Sequence, residues 1–78
     1  MEDFSGVREG SLILIASREK IEKFYKLNSF INAPSNKTFS FCGKIGKVTF
    51  KGIGIIYVEH NKEEYFFIPA EVEDIIKY

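Results

Sequence analysis

The chain has 78 residues, a formal net charge of zero and one cysteine, Cys42. This length corresponds to one domain of marginal stability, because so short a chain buries only about 60% of the surface that its unfolded form exposes. A single cysteine excludes an internal disulfide, and Cys42 with the only histidine, His60, supplies too few donors for a zinc site. We therefore expect no metal and no cofactor, and stability that comes from apolar packing.

No stretch approaches the roughly 20 apolar residues of a membrane span. The opening MEDFSGVREG is acidic and lacks the basic and then apolar regions of a signal peptide. We expect a cytoplasmic, intracellular protein that makes no membrane contact, with a flexible N-terminus over residues 1–8.

The first predicted elements are a strand and a short helix. SLILIA, residues 11–16, is a short run rich in Ile and Leu, which is typical of a buried strand. Ser17 can cap a following helix. In REKIEKFYK, Ile21, Phe24 and Tyr25 are spaced as one apolar stripe, so we predict a two-turn helix that packs on the body of the protein.

Residues 27–41 are predicted to form a long loop. LNSFINAPSNKTFSF contains Asn, Ser and Pro34, which favour irregular structure. It also contains Phe30, Ile31, Phe39 and Phe41, too many large apolar groups for a fully solvated segment. We expect this loop to fold back over the protein, and loops of this length are often functional.

The second half of the chain predicts strands. Gly46, Val48 and Phe50 alternate with Lys47, Thr49 and Lys51, which assigns the first three to an inner face and the lysines to an outer one. Lys51–Gly52 marks a turn, residues 53–59 form a central strand, residues 60–63 turn again and residues 65–68 form the next strand. Pro69 ends that strand, and EVEDIIKY supplies a last one.

Together these elements predict an all-β fold with one short helix. Five short strands, glycines at the bends and a helix in the first long connection are typical of a small SH3-like barrel over residues 1–78. In the strand YFFI, alternation places Tyr65 and Phe67 on one face and Phe66 and Ile68 on the other. We expect Tyr65 and Phe67 inside and Phe66 outside.

The ordered set of motifs resembles the SH3-like repeat of Mind bomb-type ubiquitin ligases, over residues 7–76. That repeat has a first strand, a short helix, a glycine motif and a closing aromatic–proline motif. The matching positions are Gly10, Ile13, Ile15, Ser17, Glu19, Ile21, Phe24, Gly43, Lys44, Gly46, Val48, Ile56, Val58, Tyr65, Phe67, Pro69, Ala70 and Val72. Tyr65 stands where the repeat has Trp, and Ile68 where it often has Asn. The resemblance implies a protein-interaction module; it does not imply ligase activity.

The residues favour a protein that is not an enzyme. A Cys42–His60 nucleophile pair would need both side chains within hydrogen-bonding reach, whereas Cys42 between Phe41 and Gly43 fits a small core residue. GKIGK lacks the spacing of a phosphate-binding loop, and its glycines fit a bend or bulge. Adjacent acids such as Glu63 and Glu64 would point to opposite faces of a strand.

A protein–protein interaction module or adaptor that binds a peptide or a larger protein is the first functional hypothesis. The chain has more large apolar residues than a small barrel usually hides, so some of them should contact a partner. The candidate contact residues are Tyr25, Phe30, Tyr57 and Phe66.

The second hypothesis is an accessory protein of an RNA-containing particle. Residues 27–58 contain no acid, and their lysines, Lys37, Lys44, Lys47 and Lys51, could form a basic face for phosphates. The sequence pI of 6.6 is below the value of about 9 that is usual for a dedicated nucleic-acid binder. A third hypothesis is a viral or phage inhibitor, because frequent Ile, Lys, Asn and Phe indicate an AT-rich genome.

Overall fold

The computed structural model describes residues 1–28 and 33–78. Five strands are present there: β1 (Leu12–Ile15), β2 (Ile45–Lys51), β3 (Ile56–His60), β4 (Glu63–Phe67) and β5 (Val72–Lys77). Two helices, α1 (Arg18–Leu27) and α2 (Asn36–Ser40), lie between β1 and β2, and a 3₁₀ turn (Pro69–Glu71) precedes β5. The predicted all-β, barrel-like fold with a helix after the first strand is confirmed.

The strands form one antiparallel sheet in the order β4-β3-β2-β1-β5. Strands β1 to β4 follow one another as a meander, and β5 returns to pair with β1. The edge strands of the sheet are therefore β4 and β5. The sheet wraps around one apolar core, whose most buried large side chains are Phe67, Ile13, Ile15, Ile21, Ile56, Val48 and Val58.

The N-terminal segment packs on the barrel, which differs from the expected flexible residues 1–8. The Met1 ammonium donates to the carbonyl oxygens of Pro69 and Val72 over 3.1 and 2.9 Å. Phe4 and Val7 are buried in the core. A core this small includes the apolar side chains of the N-terminal segment. The acidic residues around them did not predict this burial.

Helix α1 forms where the apolar stripe predicts it. Ser17 caps it, its hydroxyl oxygen accepting from the backbone N–H of Lys20 over 3.2 Å. Ile21 is buried and Tyr25 is half-buried against the core.

The predicted loop over residues 27–41 contains a helix, α2, that the sequence reasoning did not find. Ser35 caps α2 by accepting from the N–H of Thr38 over 3.3 Å. Phe41 is buried and Phe39 is half-buried against the core, which confirms that this segment folds back over the barrel. Phe30 and Ile31 lie outside the described residues.

Strand β2 departs from the predicted alternation at a β-bulge between Val48 and Phe50. Val48 is buried as predicted, but the extra residue reverses the faces beyond it. Phe50 therefore lies on the outer face and is exposed. The next strand also begins later than predicted, at Ile56, because Gly54 takes a positive φ of 70° and Ile53 is fully exposed in the turn.

Within residues 1–28 and 33–78, no helix has the length and apolar character needed to cross a lipid bilayer.

Candidate functional site

Three aromatic rings form a continuous line across the outer face of β2, β3 and β4. Phe50, Tyr57 and Phe66 are 51%, 36% and 41% exposed. The centroids of the Phe50 and Tyr57 rings are 6.0 Å apart, and those of Tyr57 and Phe66 are 6.1 Å apart. These spacings are typical of interacting aromatic pairs. We call these three residues the aromatic row.

The pairing of β2, β3 and β4 brings the three residues of the aromatic row next to one another. Tyr57 lies opposite Phe66 in the β3–β4 pair and opposite Phe50 in the β2–β3 pair. The structure thus brings together two of the predicted contact residues, Tyr57 and Phe66, on an exposed surface. Sequence reasoning missed Phe50, since strict alternation assigned it to the core and nothing local marks the bulge.

A charged row lies beside the aromatic row on the same face. Lys47 is opposite Glu59, and Glu59 is opposite Glu64. The Thr49 hydroxyl donates to the Glu64 carboxylate over 2.6 Å. Two carboxylates that face each other across a strand pair repel, so Lys47 and the Thr49 hydrogen bond stabilise an arrangement that carries net negative charge.

The four candidate lysines do not form one basic face. Lys37 in α2 pairs with Glu63 at 3.7 Å, and Lys44 lines a small cavity with Glu63. Lys47 lies opposite Glu59.

Lys51 lies beyond the bulge, on the opposite face from Phe50. Hydrogen bonds from Ser5 lower the pKa of the Asp3 carboxyl, and the positive charge of Lys51 adds a smaller lowering. The expectation that Lys47 and Lys51 share a face is wrong, because the bulge reverses the alternation between them.

A cavity of about 280 Å³ lies between α1, the segment before α2, β4 and the 3₁₀ turn. We call it the Glu71 cavity. Its lining residues are Tyr25, Ala33, Pro34, Ser35, Thr38, Tyr65, Phe66, Ile68 and Glu71. Phe66 is therefore shared by the aromatic row and the cavity, and it joins the two surfaces.

Glu71 is the buried acid of this cavity, with only 4% of its surface exposed. One carboxylate oxygen, Oε2, accepts from the Tyr25 hydroxyl over 2.8 Å, and the other, Oε1, accepts from the Ile68 backbone N–H over 3.0 Å. Burial raises the pKa of the carboxyl above 4.5, and the two hydrogen bonds oppose that rise. Burial and the bond to Glu71 also raise the pKa of the Tyr25 hydroxyl.

The two remaining predicted contact residues are Tyr25 and Phe30, of which the structure describes Tyr25. Tyr25 lies in the Glu71 cavity, away from the aromatic row, with its hydroxyl engaged by Glu71. Tyr65 is half-buried beside Phe67, as predicted, and its hydroxyl is 2.9 Å from that of Ser35. Phe30 lies outside the described residues. Sequence reasoning missed Glu71, which stood in a run of acids with no signal of burial.

Cys42 and His60 each have a backbone partner. The Cys42 Sγ lies 3.9 Å from the Thr38 carbonyl oxygen, and burial raises the pKa of the thiol. The His60 Nδ1 lies 2.9 Å from the Ile45 carbonyl oxygen. In the described part of the chain, no three His, Cys, Asp or Glu side chains come together as metal ligands would.

Comparisons with protein-family models, with curated proteins and with solved structures found no match to this chain. Function must therefore be argued from the site, since one small barrel fold can carry many functions.

Proposed function

We propose that this protein is a non-catalytic interaction module that binds a larger protein through its aromatic row. The observation that carries the proposal is the continuous line of three exposed rings, Phe50, Tyr57 and Phe66, on three adjacent strands. The resemblance to an interaction repeat points the same way.

The energetics of the aromatic row suit protein binding. Aromatic side chains are enriched among the residues that dominate interface affinity, because they bury a large area and have few rotatable bonds. Cross-strand pairing already orders these three rings in the free protein. A partner would therefore lose little additional conformational entropy when it contacts them.

The charged row indicates the chemistry of the partner. Glu59 and Glu64 outnumber Lys47 beside the aromatic rings. A complementary surface would place apolar groups over the rings and a basic group over the two carboxylates. Such charge pairing at a rim mainly affects specificity and association rate.

Single-stranded RNA is the second candidate ligand. Aromatic side chains on a sheet can stack on bases, and stacking of this kind is tolerant of sequence. The aromatic row is the observation that favours it. The neighbouring carboxylates would repel phosphates, and three of the four candidate lysines lie beside carboxylates on other surfaces. We therefore rank protein above RNA.

Quantitative co-purification from the native cells tests the proposal. Wild type is compared with Phe66→Ala, Tyr57→Ala and the control Ile76→Ala, which removes an exposed apolar residue from the other edge strand. We expect one partner protein to co-purify with wild type and with Ile76→Ala. Its recovery should fall with Phe66→Ala and with Tyr57→Ala, and nuclease treatment should not change it. Recovery of nucleic acid alone, with a yield that falls as salt rises, would replace this proposal with the RNA one.

A further inference from the structure

Glu71 is a buried acid that has no basic partner among the residues that the structure describes. The ion pairs among the described residues join Arg18 with Glu22, Lys20 with Glu73 and Lys37 with Glu63, and none involves Glu71. Residues 29–32 have the sequence SFIN, which contains no Lys or Arg. A carboxylate removed from water without a counter-ion is costly, and its two hydrogen bonds offset this only in part.

The walls of the Glu71 cavity suit a cation. Tyr25, Tyr65 and Phe66 line it, and aromatic faces attract ammonium and guanidinium groups. The volume of about 280 Å³ is slightly below the range of about 300–1,000 Å³ that is usual for drug-sized ligands, so it fits one long side chain better than a whole small molecule. Protein sites for metal ions usually combine several acidic, imidazole or thiolate ligands, and Glu71 is the only side chain of these types among the described residues of the lining.

We propose that the Glu71 cavity binds one Lys or Arg side chain of the protein partner, with Glu71 as its counter-ion. The carboxylate oxygens each retain a lone pair beyond the bonds from Tyr25 and Ile68, so a cation can be added without breaking either bond. This inference rests on the proposed function in one respect, because it assumes that the basic side chain belongs to a protein partner. Phe66 would then connect a basic side chain in the cavity with apolar contacts on the aromatic row.

The direct test is an NMR titration with three capped amino acids. The probes are N-acetyl-arginine amide, N-acetyl-lysine amide and N-acetyl-citrulline amide; citrulline has nearly the shape of arginine but no charge. We expect the cationic probes to shift the signals of Tyr25, Tyr65 and Phe66, with citrulline binding roughly tenfold or more weakly. The stronger of the two cationic probes identifies the group as guanidinium or ammonium.

Glu71→Gln is the matched variant, because its amide oxygen can still accept from the Ile68 N–H. We expect it to lose the preference for arginine over citrulline. Equal shifts with citrulline, or no shifts with any probe, would overturn the proposal. The arginine–citrulline contrast is measured on wild type, so it holds whether or not the variant folds.

The cavity and the aromatic row can be tested separately. Tyr57 does not line the cavity, so Tyr57→Ala should leave arginine binding unchanged while it depletes the protein partner. Arginine binding without any protein partner would contradict the proposed function alone. A partner whose recovery needs Tyr57, together with no cation preference at Glu71, would contradict the cavity proposal alone.

Discussion

Phe66 and Phe67 are consecutive residues of β4, yet their rings lie on opposite faces of the sheet. Phe66 is 41% exposed beside Tyr57, whereas Phe67 is fully buried, with its ring centroid 5.2 Å from that of Phe41. The two positions therefore separate the contribution of an aromatic ring to stability from its contribution to binding.

The first prediction concerns these two residues. Phe67→Ala should lower the free energy of unfolding by about 3–5 kcal/mol, because it removes a fully buried ring and leaves a cavity. Phe66→Ala should cost less, about 1 kcal/mol, since the Phe66 ring is 41% exposed and its removal leaves no enclosed cavity in the core. Urea denaturation measures both, and equal losses would contradict the assignment of faces.

A second prediction concerns Gly46, where the chain has no room for a side chain. A Cβ atom there would clash with Val58 Cγ1 and would lie 2.9 Å from the Glu59 carbonyl oxygen. Gly46→Ala should destabilise the protein by about 1–3 kcal/mol through overpacking.

The control for this prediction is Gly6→Ala. A Cβ at Gly6 would lie 3.5 Å from its nearest neighbour, the end of the Tyr78 side chain, so the change should stay within about 0.5 kcal/mol. Thermal or urea unfolding compares the two variants. A Gly46→Ala protein as stable as wild type would show that β3 does not approach β2 this closely.

The third prediction concerns the turn between β3 and β4. Asn61 and Lys62 have positive φ angles of 53° and 68°, as both central residues of a type I′ turn must. Lys62→Gly should raise stability by up to about 1 kcal/mol, because glycine relieves the left-handed strain. Lys62→Ala keeps that strain and should change little; equal effects of the two substitutions in urea unfolding would refute the turn assignment.

The fourth prediction is a pH dependence caused by Glu71. Its pKa in the folded protein is above 4.5, so the folded state binds this proton more tightly than the unfolded state does. Its contribution to stability is therefore greatest below pH 4.5 and is lost as pH rises through the folded-state pKa.

Urea unfolding of wild type and Glu71→Gln across this pH range provides the measurement. The stability of Glu71→Gln relative to wild type should increase from acidic to neutral pH. Asp3, whose pKa is lowered, titrates in both proteins and cancels in the comparison. If the stability of Glu71→Gln relative to wild type instead decreases as pH rises, the hydrogen bonds from Tyr25 and Ile68 lower the pKa of Glu71 by more than burial raises it.

Much of the fold could be predicted because local patterns agree with the tertiary structure. The apolar stripe of α1, the cap at Ser17 and the alternation around Tyr65 and Phe67 all correspond to observed burial. Helix α2 was missed because a five-residue helix carries no periodic signal, and it depends on a Ser35 cap and on packing of Phe41.

The candidate site was predictable only in part. Alternation placed Phe66 outside, and the excess of aromatic residues indicated a contact surface. Phe50 joins that surface only through a bulge, and tertiary contacts, not sequence order, put Lys37 and Lys47 beside acids. The burial of Glu71 likewise depends on α1 and the 3₁₀ turn packing together, which no local pattern records.

Site-specific photo-crosslinking at Phe66 tests the central claim most directly. A photoreactive phenylalanine analogue replaces Phe66 in one protein and Ile76 in another, so that both carry the probe on an exposed edge strand. We predict that irradiation in the native cells joins position 66, but not position 76, to one defined protein. The same product from both positions, or crosslinks from position 66 to nucleic acid alone, would contradict protein binding by the aromatic row.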